Sequence, residues 1–355
     1  MLDNRLRLPC RAGRQAGREA VSRNMKPSKH RLGWIGTGRM GSALLTRLLD
    51  AGCDVAVYNR TRVKAEPFAR LGAQLVERPA DLADRDIVFT SVAASQDFAD
   101  VTTGRDGVLA GGGPVPGVVI DSSTVSMEAS QKVRAKAEEL GTALLAAPVS
   151  GNPKVARAGR LSIAVSGPRE AFETSLPYLQ LLGATVAYVG EGERARLVKI
   201  CHNLVLGVVT QIMAETTVLA ERGGVSRADY LEFLNGSVMG STFTRYKTPA
   251  FVNLDFTPTF TGRLLRKDFE LGLEAARKLD VPMPVSALVH QIVMNLIGNE
   301  LGDVDFASLL QLEAWGAHLN LLPENRKVSD GLEDSPPPHA TDEQSKDASR
   351  ASKHA

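Results

Sequence analysis

The stretch Leu32-Gly33-Trp34-Ile35-Gly36-Thr37-Gly38-Arg39-Met40-Gly41 constrains the fold of this chain more than any other. A short apolar run leads directly into GxGxxG, and helix-forming residues follow over 39–51, which is the context in which that spacing carries information. The first glycine permits a tight turn, the second lets backbone approach a pyrophosphate, and the third allows close helix packing while the helix N-terminus faces the anion. A glycine-rich turn without a ligand has the same letters, but here a second strand, DVAVYN, also ends on schedule. An NAD enzyme usually places an acidic residue about 20 residues past the glycines to hold the ribose hydroxyls. This chain has Asn59-Arg60-Thr61 instead, with Asn59 18 residues past Gly41. Arg60 and Thr61 suit charge-assisted binding of a 2′-phosphate, so NADP(H) is expected over NAD(H). Thr61 also reads as the N-cap of the next helix, and the two roles are compatible.

From Leu32 to about Gly190, the runs LGWI, DVAVYN, DIVFTSV, GVVIDSS, TALLAAPV, LSIAVSG and ATVAYVG alternate with helix-like stretches, among them 39–51 and 61–71. Such alternation predicts an α/β fold, a Rossmann-type doubly wound and mostly parallel sheet. Beyond Glu193 the strand signals stop, and Arg194 to Arg222 reads as one long interdomain helix with Gly207 as an internal breaker. Helical segments near 226–235, 265–279, 284–300 and 307–317 predict an all-α second domain, and the Thr-, Pro- and Asn-rich stretch between Gly236 and Gly262 reads as a loop. The expected organisation is a disordered basic extension over 1–30, a dinucleotide-binding domain over 31–192, a helical domain over 193–322 and a polar, Pro/Ser-rich disordered tail over 323–355.

With 355 residues, 43% of them hydrophobic, the chain has enough apolar material for two cores. A net charge of +2 gives no overall basic bias, so small molecules rather than nucleic acid are the expected partners. The three cysteines, Cys10, Cys53 and Cys201, form no close pairs, which fits a reducing cytoplasm and disfavours a disulfide framework or cysteine metal site. No uninterrupted apolar run reads as a membrane span, and the Arg-rich head lacks a signal-peptide core, with Met25 standing near the first strand as an alternative start. The histidines form no HxH or HExxH pattern, so no metal is expected.

Ligands in doubly wound sheets sit at the carboxyl ends of strands. This marks Thr90-Ser91-Val92-Ala93 and Asp121-Ser122-Ser123-Thr124, with Ser91, Val92 and Thr124 as cofactor contacts, although Thr124 and Ser126 also read as ordinary helix caps. Ala147-Pro148-Val149-Ser150-Gly151 ends another strand, and its hydroxyl and backbone N–H suit a carboxylate or developing alkoxide. Lys199 and Asn203 stand at i and i+4 of the long helix and share one face, where they can meet one substrate. His202 between them reads as a packing residue.

GWIGTGRMG, the APVSG turn followed by ARAGRLSIAVSG, the VKICHN helix and LRKDFELGLEAA together resemble the β-hydroxyacid dehydrogenases, over about Arg31 to Leu321. That family includes 3-hydroxyisobutyrate dehydrogenase and the NADPH-dependent glyoxylate and succinic semialdehyde reductases. The resemblance implies a cleft active site, a helical domain that dimerises or builds a tetramer, and a small carboxylate-bearing substrate. It further implies that Lys199 is the general acid/base, that Asn203 orients the substrate or the lysine, and that Ser150 and Gly151 bind the carboxylate. Lys267 with Asp268 would close over the nicotinamide end, and Thr124 would touch substrate or cofactor. Three positions depart from the family pattern: Ala147 where Asp is common, Asn152 where a second Gly is common, and His202 where Asn is common. The competing readings are an imine reductase-like enzyme, against which Lys199 and Asn203 argue, and a non-catalytic cofactor-sensing interaction protein whose tails recruit a partner.

Overall fold

The computed structural model describes residues 30–332. The expectations for the basic head, residue 30 apart, and for 333–355 lie outside the described residues. Strands β1 (Leu32–Ile35), β2 (Val55–Tyr58), β3 (Gln74–Leu75), β4 (Ile87–Thr90), β5 (Val118–Asp121) and β6 (Ala143–Ala146) form one parallel sheet in the order β3-β2-β1-β4-β5-β6. β1, β2, β4 and β5 read as continuous apolar runs because both faces are covered, whereas β3 is a two-residue edge strand with Gln74 exposed. Leu32 and Trp34 of β1 join one core with Phe89 and Ile120, while Ile35 joins Val88, Val119 and Leu144 on the other side. Trp34 stacks on Phe89 at 5.5 Å between ring centroids and donates its indole N–H to the Gly36 carbonyl at 2.8 Å, so the sheet core is tied to the glycine turn. The chain order reverses between β1 and β4, which opens the crevice where such sheets hold ligands.

The last three strands differ from the expectation of a single sheet. β7 (Val149–Ser150), β8 (Leu161–Val165) and β9 (Gly183–Tyr188) form a second sheet in which β7 is antiparallel to β8. Pro148 separates β6 from β7 and has no N–H to extend a ladder. One antiparallel bridge, Ala146 to Ser166, joins the two sheets.

The helix Arg194–Arg222 forms as expected, but Gly207 is not a breaker. A Cβ at that position would lie 2.3 Å from Phe269 Cε2, so the glycine lets Gly262–Lys278 pack against the long helix. By length and composition Arg194–Arg222 would suffice to cross a membrane. Its buried side, with Ile200, Leu204, Met213, Ala214 and Val218, belongs instead to the core of the helical domain.

Two segments correct the sequence reading. Within the stretch read as loop, Thr242–Asn253 is a helix, capped by Ser241 and Thr244 in a reciprocal box. β-branched residues and Pro249 lower its propensity, and burial of Phe251 and Val252 overrides them. The first ten residues of the expected tail, 323–332, are bonded in place. Glu324 accepts from the Arg227 and Ala228 amides at 2.7 and 3.2 Å, and Arg160 donates to the Gly331 carbonyl at 2.9 Å. The fully buried Arg227 guanidinium donates to the Phe251, Val252 and Leu322 carbonyls at 2.9, 3.0 and 2.5 Å, which fixes the chain just before this segment, and a compositional reading does not see that demand.

Candidate active site

The glycine motif meets three separate geometric demands. Gly36 has φ +100°, and a Cβ there would lie 2.2 Å from the Ser91 carbonyl oxygen. A Cβ at Gly41 would lie 2.1 Å from the Gly36 carbonyl oxygen, so the helix Arg39–Asp50 can approach only because that position is bare. A Cβ on Gly38 would meet nothing within 4 Å, which leaves open the approach to the helix N-terminus. Gly38 provides no side-chain cap, so the first amides of the helix face the crevice, and the Thr37 hydroxyl is buried without a partner. An anionic pyrophosphate fits this cradle.

The expected phosphate readers divide. Asn59 is spent on scaffolding: its Oδ1 accepts from the Thr37 amide at 2.8 Å, and its Nδ2 donates to the Thr61 carbonyl at 2.9 Å. Arg60 is exposed and paired with Asp97 at 2.8 Å, a surface contact weak enough to exchange for a ligand phosphate. The Thr61 hydroxyl makes no cap hydrogen bond, so the capping alternative is not realised.

A cavity of about 370 Å³ opens beside the glycine cradle and reaches the helical domain, within the usual size for a small-molecule site. Gly38, Arg39, Met40, Gly41, Ser91, Val92 and Thr124 line it from the sheet, and Gly151, Lys199, Asn203, Lys267 and Asp268 line it from beyond. The Val92 amide is committed to Ser123 Oγ at 2.8 Å, so Val92 presents its side chain. Among the contacts that span the crevice, Lys267 Nζ donates to the Thr124 carbonyl at 3.4 Å, and Arg39 donates to the Pro258 carbonyl at 2.7 Å.

Lys199 is only partly accessible, and its ammonium has no hydrogen-bond partner among the described residues. Burial pulls its pKa down from 10.5 to about 8, with Asp268 opposing the fall and Lys267 reinforcing it. Asp268 is itself buried. Its Oδ2 accepts from Asn203 Nδ2 at 2.5 Å while Oδ1 has no partner among the described residues, and burial raises its pKa against the two lysines.

His202 corrects the packing reading. It lines the cavity, with Nε2 2.8 Å from Ser150 Oγ and Nδ1 3.0 Å from Asn203 Oδ1. The signal was in the spacing, because i+3 from Lys199 is as close a helical neighbour as i+4. Ser150 therefore does not stand free for a carboxylate. Gly151, at φ +129°, has room for no side chain: a Cβ would lie 2.6 Å from Leu161 Cδ2. Asn152, at φ −102°, caps Pro153–Arg157 by accepting from the Lys154 and Val155 amides at 2.9 and 3.1 Å. A second glycine is unnecessary there.

Sequence reasoning also missed the network under the site. Buried Asp121 accepts from Thr90 at 2.5 Å, from Ser123 at 2.7 Å and from Arg196 at 2.8 Å. It thereby ties the ends of β4 and β5 to the start of the long helix. Asp121 and Arg196 are both almost fully buried, and nothing in their spacing announces a pair 75 residues apart.

Comparison with known proteins agrees with this geometry. Residues 31–190 match the model of the NAD binding domain of 6-phosphogluconate dehydrogenase, and 193–312 match that of NADP-dependent 3-hydroxyisobutyrate dehydrogenase. An uncharacterized oxidoreductase of Bacillus subtilis, YfjR, is 33% identical over 78% of this chain and 97% of its own length. Glyoxylate/succinic semialdehyde reductase 2, chloroplastic, of Arabidopsis thaliana is 28% identical over 79% of this chain and 78% of its own. The solved structure of Mycobacterium tuberculosis 3-hydroxyisobutyrate dehydrogenase with L-serine is 27% identical, has a TM-score of 0.70, and is matched over 80% of this chain and 98% of that one. With the glycine cradle, the crevice at the β1/β4 reversal and the helical domain behind it, the chain belongs to the β-hydroxyacid dehydrogenase family, NAD(P)-dependent oxidoreductases acting on hydroxy acids.

Proposed function

We propose that the protein transfers hydride between NADP(H) and a small hydroxy acid or its semialdehyde or keto acid, with Lys199 as general acid/base. The observation that carries this reading is Lys199, without a hydrogen-bond partner among the described residues and depressed to about 8, in the crevice between the glycine cradle and the helical domain. A group that titrates near the working pH serves both directions, giving a proton to a carbonyl oxygen and taking one from a hydroxyl. The cofactor, bound along the Arg39–Asp50 helix, supplies or receives the hydride. Gly38 and the helix amides hold its pyrophosphate, and Arg60 with Thr61 holds the 2′-phosphate. Asn203, clamped by Asp268, keeps its amide aimed into the site, and Lys267 reaches across to β5's loop to close the nicotinamide side. Gly151 leaves room for the substrate carboxylate beside Lys199.

The apolar residues Val198, Val205, Ile212 and Leu219 stand exposed at seven-residue intervals on the long helix. A stripe of that period fits a second copy of the same helix, and it supports a homo-oligomer of two or four chains. The test of the reaction is to follow NADPH oxidation with glyoxylate, succinic semialdehyde, methylmalonate semialdehyde and tartronate semialdehyde, and to repeat it with Lys199→Ala. The variant should lose about 10²-fold or more in kcat while still binding NADPH. A variant turning over at near the parent rate removes Lys199 from the mechanism.

A further inference from the structure

Four side chains form an unbroken chain: Ser150, next to the cavity-lining Gly151, then His202, Asn203 and Asp268, which line the cavity themselves. Its proton directions follow from the chemistry of its last member. Lys267 and Lys199 favour the Asp268 carboxylate against the rise that burial imposes, and a carboxylate only accepts, so the Asn203 group 2.5 Å away is the NH₂. That turns Asn203 Oδ1 toward His202, and a carbonyl oxygen also only accepts, so His202 Nδ1 carries the hydrogen. In a neutral imidazole the remaining nitrogen, Nε2, is then a lone pair, and the Ser150 hydroxyl donates to it at 2.8 Å. Burial and the charge of Lys199 hold the ring below its ordinary titration range, which keeps it neutral. The one hydrogen of Ser150 is used on His202, so its Oγ has only lone pairs for a further partner, beside the cavity-lining Gly151 and His202.

We propose that His202 is a specificity-determining residue: it holds Ser150 as a hydrogen-bond acceptor, so the site selects small acids bearing a further donor, a hydroxyl or an ammonium, over their alkyl counterparts. This rests on the small-acid reading above. A methyl group in that place leaves Ser150 without a partner, whereas a hydroxyl satisfies it, and sites built around a polar contact discriminate against analogues that lack it. The substrate carboxylate is left to Lys199 and the open side of Gly151. Ser150 thus reads the group beside the carboxylate rather than the carboxylate.

The test uses the full chain loaded with NADP⁺. Calorimetric binding of glycerate against 3-hydroxyisobutyrate, which differ by hydroxyl for methyl, should favour glycerate by about tenfold, and kcat/KM should follow the same ratio. In His202→Leu the Ser150 hydroxyl is free to donate as well as accept, so 2-O-methylglycerate, which offers only an acceptor in that place, should gain about tenfold on glycerate relative to the parent. Nitrogen-15 spectra of histidine-labelled protein, with the His202→Asn spectrum identifying the signal, should show the neutral Nδ1–H tautomer at neutral pH; this readout needs no turnover and no apolar substitution. An Nε2–H tautomer, an imidazolium, or a ratio of glycerate to 2-O-methylglycerate that His202→Leu leaves unchanged overturns the proposal. Retained binding preference with no turnover of any acid supports it while sinking the reaction proposed above.

Discussion

Replacing Asp268 by Asn tests the electrostatic account of Lys199 directly. Burial draws the ammonium from 10.5 to about 8, the Asp268 charge resists that fall, and Lys267 adds to it. A lysine at about 8 is roughly one-tenth neutral amine at pH 7, whereas one at 10.5 is neutral in only about three molecules per ten thousand, so the site gains roughly 300-fold in available base. Reduction uses the ammonium as donor. Its kcat/KM should therefore be level below about pH 8 and fall about tenfold per pH unit above it. Oxidation uses the amine and should show the mirror profile, rising to about pH 8 and then levelling. Asn at 268 keeps an oxygen for Asn203 Nδ2 but removes the charge that favours the ammonium, and an opposite charge at short range typically shifts a pKa by about 1–3 units. Both breaks should move to lower pH by on the order of one unit. At pH 7 reduction would then fall only about twofold, while oxidation would rise about fivefold. The assay is kcat/KM against pH in both directions for parent and variant. Breaks that stay near pH 8, or that move upward, refute the electrostatic coupling of Asp268 to Lys199.

Arg60→Ser should raise the KM for NADPH by about tenfold and leave that for NADH within about twofold, since only the 2′-phosphate gains from the guanidinium; equal losses for the two cofactors would remove Arg60 as the phosphate reader. Leu219→Glu, at a side chain 72% exposed in the single chain, should dissociate the oligomer in light-scattering measurements, and an unchanged mass would place the interface elsewhere. Glu324→Ala strips acceptors from the Arg227 and Ala228 amides and removes a carboxylate 3.9 Å from the buried Arg227 guanidinium, and should cost about 1–3 kcal/mol in urea unfolding. An unchanged midpoint would show that residues 323–332 contribute nothing to stability.

The elements whose apolar period matches their final burial were legible in the sequence. β1, β2, β4 and β5 are covered on both faces and read as unbroken apolar runs, and Arg194–Arg222 is too long and too regular to read otherwise. The helix Thr242–Asn253 was not legible, because its stability comes from what Phe251 and Val252 pack against rather than from its residues' propensities. The segment 323–332 escaped for a related reason: its residues are held by partners far away in the chain, Glu324 by the Arg227 and Ala228 amides, Arg326 by Asp229 and the Gly331 carbonyl by Arg160.

The same division runs through the site. The glycine spacing, Arg60, and the Lys199/Asn203 pair are set by local geometry, a turn, a strand end and a helix face, and local geometry is what one sequence encodes. The direction of each proton is not local. Whether Ser150 donates or accepts depends on His202, on the amide of Asn203 and finally on Asp268, which arrives from a helix 65 residues further along. Likewise Lys199 reads as a lysine on an apolar helix until the fold closes a low-dielectric crevice around it and sets Asp268 and Lys267 at its sides. Sequence alone determined the residue types and the chemistry they can perform. The tertiary structure decided their protonation and polarity, because desolvation and charge pairing depend on distances through space that no spacing along the chain specifies.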